Sequence, residues 1–91
     1  SCIWFNSATM RNLAGSRYVE VYYDQQRKEL AFKFLESKHP DSFVLSRDKK
    51  AGKIASSHIY KIIGHNRNEL RHYRPYRTNG FIVVDLNHPS F

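Results

Sequence analysis

The chain has 91 residues, a formal net charge of +7 and 41% hydrophobic residues, which fits one domain with a small core and excludes wholesale disorder. A single cysteine, Cys2, excludes an internal disulfide and any multi-cysteine zinc site, and it fits a reducing compartment. No run approaches the roughly 18 apolar residues of a membrane span, and "SCIWFNSATM" lacks the basic start of a signal peptide, so a cytoplasmic protein with no membrane partner is expected.

In chain order, "IWF" (3–5) reads as a short strand, and Asn6 or Ser7 can cap a short helix over 8–13 that stops at Gly15. "YVEVYY" alternates, with Val19, Val21 and Tyr23 facing one way and Tyr18, Glu20 and Tyr22 the other. After the polar turn "DQQRKE", "LAFKF" puts Leu30, Phe32 and Phe34 on one face, which predicts a hairpin. "SFVLS" reads as a third strand with Phe43 and Leu45 inward, and "RDKKAGK" as a mobile basic loop. Ser56 or Ser57 can cap a second helix, "HIYKII", with Gly64 in the position after its end. "HNRNEL" follows as a loop. Pro75 disfavours helix in "RHYRPYR" (71–77) and confines it to an edge or interrupted strand. "TNG" is a turn signal, and "FIVVDL" reads as a central strand. The expected fold is α+β: one domain, a small antiparallel sheet of about five strands, and two short helices. Phe5, Phe32, Phe34, Phe43 and Phe81 are expected in the core, with Trp4 partly packed. Tyr18 and Tyr22, beside Glu20, are expected on the outer sheet face, where they either cover the sheet or form a protein-binding patch.

Charge is the informative property. Between Arg47 and Arg77 lie nine Lys and Arg (Arg47, Lys49, Lys50, Lys53, Lys61, Arg67, Arg71, Arg74, Arg77) against Asp48 and Glu69, which equals the whole net charge of +7. His58, His65 and His72 fall in the same stretch and add charge below about pH 6.5. A segregated basic segment is the electrostatic footprint of a polyanion partner. In "RHYRPYR", an extended backbone would set Arg71, Tyr73 and Arg77 on one face and His72, Arg74 and Tyr76 on the other. Each face then offers guanidinium for phosphate and a ring for a base. Arg71, Arg74 and Arg77 are the expected phosphate contacts, joined by Lys49, Lys50 and Lys53, with Tyr73 and Tyr76 as stacking candidates; His72, Lys61 and Arg67 complete the candidate strip.

The opening third, "IWFNSATMRNLAGSRYVEVYYDQQRKELAFKF", resembles the layout of swapped-hairpin DNA-binding regulators of the AbrB type. There a strand leads to a short helix, a "YVEV"-like strand, a polar turn and a return strand. The DNA-contacting leading strand of that family has no counterpart before Ile3, so the resemblance carries over no contact residue. The whole chain, through "FNSATMRNL", "RYVEVYYDQQRKELAF" and "FIVVDLNHPSF", is similar to small proteins of bacterial phages and mobile elements, a group without an assigned activity. That likeness implies a bacterial host cell, where small basic proteins serve as regulators, toxins or inhibitors of host defence such as anti-CRISPR proteins.

Catalytic motifs are missing. The acids sit mostly in turns and on polar strand faces, and Asp85, which follows an apolar run, reads better as a turn cap or an arginine partner than as a catalyst. His58, His65 and His72 recur every seven residues, but Gly64 breaks helical phase, so no metal site is expected. Ser57 and His58 are sequence neighbours on a helix and face different directions. "AGK" and "TNG" are too short to cradle phosphate, and no cofactor is expected. A ribonuclease toxin resembling the RelE type would use Arg, Lys, His and Tyr, yet that fold usually opens with a strand and two long helices, and only short helices are expected here. The expectation is therefore a non-enzymatic protein binding DNA or RNA. The alternative is an inhibitor that docks on an acidic patch or a nucleic-acid groove of a host defence nuclease; a homodimer fits either.

Overall fold

The computed structural model describes residues 2–63 and 75–87. Eight strands and one helix occupy them: β1 (Cys2–Phe5), β2 (Tyr18–Asp24), β3 (Glu29–Leu35), β4 (Phe43–Val44), β5 (Ser46–Asp48), β6 (Ala51–Ala55), α1 (Ser56–Ile63), β7 (Tyr76–Thr78) and β8 (Phe81–Asp85). They form two sheets rather than one, three strands in the order β1-β6-β5 and five in the order β4-β2-β3-β8-β7. Every pairing is antiparallel.

The alternation in "YVEVYY" and "LAFKF" sets the larger sheet. Val19 pairs with Phe34, Val21 with Phe32 and Tyr23 with Leu30, so one face of the hairpin is continuously apolar. Ile82 and Val84 extend that face from β8, opposite Phe32 and Leu30. Phe5 of β1 closes over it, its ring edge-on to Phe32 and to Phe34, each at 5.1 Å between centroids. Met10, Leu45, Ile54 and Ile59 fill the remaining space between the sheets. The chain changes sheet at Leu45, where β4 ends and β5 begins; Leu45 is buried and its N–H donates to the Arg17 carbonyl at 2.9 Å. Strands that cross between packed sheets at such corners are a common device of two-layer β proteins.

Turn chemistry follows the sequence closely in two places. Asn79 and Gly80 both have positive φ, 50° and 81°, in a two-residue loop joining Thr78 to Phe81, the type I′ geometry that Asn-Gly favours. In the four-residue turn after β2, Asp24 Oδ1 accepts from the N–H groups of Gln26 and Arg27, at 3.0 and 3.1 Å.

Three further expectations are corrected. Residues 8–13 form turns, not a helix, so α1 is the single helix among the described residues. The segment opens as a helix would, with Asn6 Oδ1 capping the Thr9 N–H at 2.9 Å and the Met10 N–H bonded to the Asn6 carbonyl at 3.0 Å. It then breaks at Asn12, whose φ is 69°. An isolated run this short lies below the length at which helices persist unaided, and its carbonyls are taken elsewhere: Arg77 Nη2 donates to the Thr9 and Arg11 carbonyls at 2.6 and 3.1 Å. "RDKKAGK" is likewise no mobile loop but the β5–β6 hairpin, with Lys49 and Lys50 at its tip and Lys53 on β6. Gly52 marks close packing there, since a Cβ would meet Leu45 Cδ1 at 3.0 Å and Met10 Sδ at 3.2 Å. Finally, Phe81 faces away from the core: its ring stands edge-on to Tyr22 at 5.7 Å, on the outer sheet face.

Arg77→Ala removes both carbonyl contacts and should cost about 1–2 kcal/mol of stability. Denaturant unfolding checks the loss, and faster hydrogen exchange at Met10 and Leu13 should accompany it.

Candidate nucleic-acid interface

Only part of the basic segment falls among the described residues. Arg67, Arg71, His72, Tyr73 and Arg74 lie outside the described residues, as does His65. The two described members at its C-terminal end point in opposite directions. Arg77 pairs with Ile82 and so shares the face turned to the 8–13 turns. Tyr76 pairs with Val83 on the outer face, where its hydroxyl donates to Glu29 Oε2 at 2.7 Å. Arg77 is exposed, yet its guanidinium is already engaged by two backbone carbonyls.

A second cationic group is assembled in the smaller sheet. Trp4 and Lys53 are directly opposite on β1 and β6, and Lys53 Nζ lies 5.0 Å from the centre of the Trp4 ring. At that distance the ammonium is drawn to the negative face of the indole. Trp4 is 55% exposed, far more than the partial packing expected of it. The row continues to Ser46 on β5, and Ala55 lies one register step along on the same face, both small and exposed. The indole therefore stands on a low, open surface. Lys49 and Lys50, both exposed, project from the tip of the β5–β6 hairpin, whose second strand carries Lys53, and Lys61 is exposed on α1. Alternation in "IWF" could have located Trp4: Ile3 and Phe5 turn to the core, which sends the residue between them outward.

The outer face of the larger sheet has the opposite character. Glu20, Asp24, Glu29 and Asp85 all lie on it, against Lys33 alone among its strand cations. Tyr22 donates to Glu20 Oε1 at 3.1 Å as Tyr76 does to Glu29. Both phenols are held above the ordinary tyrosine value of 10.0, first by these hydrogen bonds, then by partial loss of solvent and by the neighbouring carboxylate charge. For Tyr76, Arg27 pulls in the other direction. A raised folded-state value means that the bonds stabilise the fold fully below the unfolded phenol value, and that this contribution is lost as pH rises through the folded one. Glu29→Gln should bring the Tyr76 ionisation back towards 10.0, read by ultraviolet titration against the unchanged Tyr22. Asp85 is partly buried and accepts from the Asn87 N–H at 2.9 Å, a turn-capping role.

Among the described residues no three His, Cys, Asp or Glu side chains converge to hold a metal ion, and no helix is long and apolar enough to cross a membrane. Comparison with known protein families, curated proteins and solved structures finds no match to this chain.

Proposed function

We propose that this chain is a small, non-enzymatic nucleic-acid-binding protein of phage or mobile-element type. In this reading it takes single-stranded DNA or RNA on the Trp4–Lys53 surface. The observation that carries the reading is the exposed indole, 55% accessible, with a lysine 5.0 Å above it and two more lysines on the same hairpin. Base stacking on an aromatic platform flanked by cations is the usual recipe for binding single strands without sequence preference. A duplex keeps its bases stacked on one another, so it would gain only the phosphate contacts. The arginines between Arg67 and Arg77 add to the positive field that draws a polyanion in.

Trp4 is the chain's single tryptophan, so its fluorescence reports on the site directly. Titration with short single-stranded DNA and RNA should quench it saturably at low salt. With three lysines neutralising phosphates, the log–log salt slope should be about −2 at roughly −0.7 per contact. Unquenched Trp4 at low salt would sink the proposal and turn the same cations towards a protein partner, such as the nucleic-acid groove of a host nuclease.

A further inference from the structure

The outer face of the five-stranded sheet is organised in cross-strand rows. Tyr22, Ala31, Val83 and Tyr76 follow one another across β2, β3, β8 and β7. Two half-exposed tyrosines thus stand three strands apart, roughly 14 Å at about 4.8 Å per strand, with the small Ala31 and the buried Val83 as the floor between them. Val83 is covered but is not part of the core cluster, as its place on this face requires. The result is a trough of about 500 Å³ running along β3 and β8. One end is closed by the next row, Asp24, Glu29 and Asp85, again directly opposite one another. Tyr22 is braced by Phe81 and Glu20, and Tyr76 by Glu29, so the walls have fixed hydrogen-bond partners.

We infer that this trough is a docking site for an arginine- or lysine-bearing segment of a partner protein. Its chemistry matches that occupant, and the chain's own Arg27, which lines the trough with Nε 3.9 Å from Asp24 Oδ2 in an exposed pair, is the cation that a partner's basic side chain would displace. The apolar floor suits the methylene stem of a long basic side chain. Tyrosine rings on either side attract a cation by their faces, and the carboxylate row receives its charged head. In a chain carrying +7 overall, half of the eight acidic residues are gathered on this one sheet face. That segregation selects a basic partner and repels the nucleic acid proposed for the smaller sheet, so the two surfaces take ligands of opposite sign.

The test uses the whole chain and a fluorescein-labelled hexa-arginine peptide, with hexa-glutamate as the control probe. Saturable, salt-sensitive binding of the basic peptide is expected, with NMR shift changes centred on Tyr22, Ala31, Val83 and Tyr76. Glu29→Gln, which keeps the side-chain shape, should weaken binding about tenfold, the loss of one charge-assisted contact. Ala31→Arg, which sets a cation in the trough, should abolish it. Dispersed spectra of both variants would show that each has folded. Shifts centred elsewhere, or affinity unchanged in both folded variants, would overturn the inference. So would a concentration-dependent dimer abolished by Ala31→Arg, because the occupant would then be a second copy of this chain.

Discussion

Phe32→Ala should lower the unfolding free energy by about 3–5 kcal/mol, a loss comparable with the whole stability of many domains of this size. Phe32 is 2% exposed and occupies the centre of the inner face, where it packs edge-on to Phe5 at 5.1 Å and pairs with Val21 on one side and Ile82 on the other. Truncation therefore removes contacts to both sheets at once. The neighbours cannot collapse into the space without moving paired strands, which is the circumstance that puts a large-to-small change at the upper end of its range. Thermal or urea unfolding measures the loss. A cost under about 1 kcal/mol would mean that the two sheets do not share this core.

Trp4→Ala should weaken single-strand binding by about 1–3 kcal/mol, roughly 5- to 150-fold, while leaving the unfolding midpoint close to that of the parent. The ring is more than half exposed, and its nearest cationic partner is the flexible Lys53, so its removal opens no cavity. Fluorescence anisotropy on a labelled oligonucleotide reads the affinity without needing the indole. Lys53→Ala, by contrast, should flatten the salt dependence by about 0.7 while stacking persists. The two variants separate the ring's part from the charge's. Equal losses for single strands and duplexes in Trp4→Ala would sink the stacking role. Arg77→Ala supplies the counterpart: with its guanidinium bound to the Thr9 and Arg11 carbonyls, it should reduce stability more than affinity. Lost affinity at unchanged stability would return Arg77 to the binding surface.

Much of the larger sheet could be read from alternation. Val19, Val21, Leu30, Phe32 and Phe34 declare their face because apolar and polar residues change places with period two, and the register needs only the short turn between them. Asn79-Gly80 is equally legible, since few other pairs accept positive φ twice. The misread segments share a different cause, a tertiary contact that outweighs local preference. Residues 8–13 have a capping Asn6 before them and Gly15 after them, as a short helix would, yet Arg77, 66 and 68 residues away in sequence, claims two of the carbonyls. In "RDKKAGK" the charges and glycine resemble a loop, while Gly52 is there because Met10 and Leu45 press on it. Phe81 looked inward from its position in an apolar run, because a strand with both faces covered gives no parity signal. The candidate site was legible in its cations and hidden in its geometry: composition points to Lys49, Lys50 and Lys53, but only the β1–β6 register sets Lys53 beside Trp4.

Strand β8 lies between β3 and β7 in the larger sheet, although it is the last of the described strands in the chain. During synthesis, the β2–β3 hairpin leaves the ribosome with the hydrogen-bonding edge of β3 unfilled, and the strand that will occupy it is made some fifty residues later. Until then the nascent chain carries an open, apolar strand edge of the kind that recruits wrong partners. Completion of the sheet is therefore a late, long-range closure, and maturation of this small protein should be paced by the arrival of 81–85 rather than by its local hairpins.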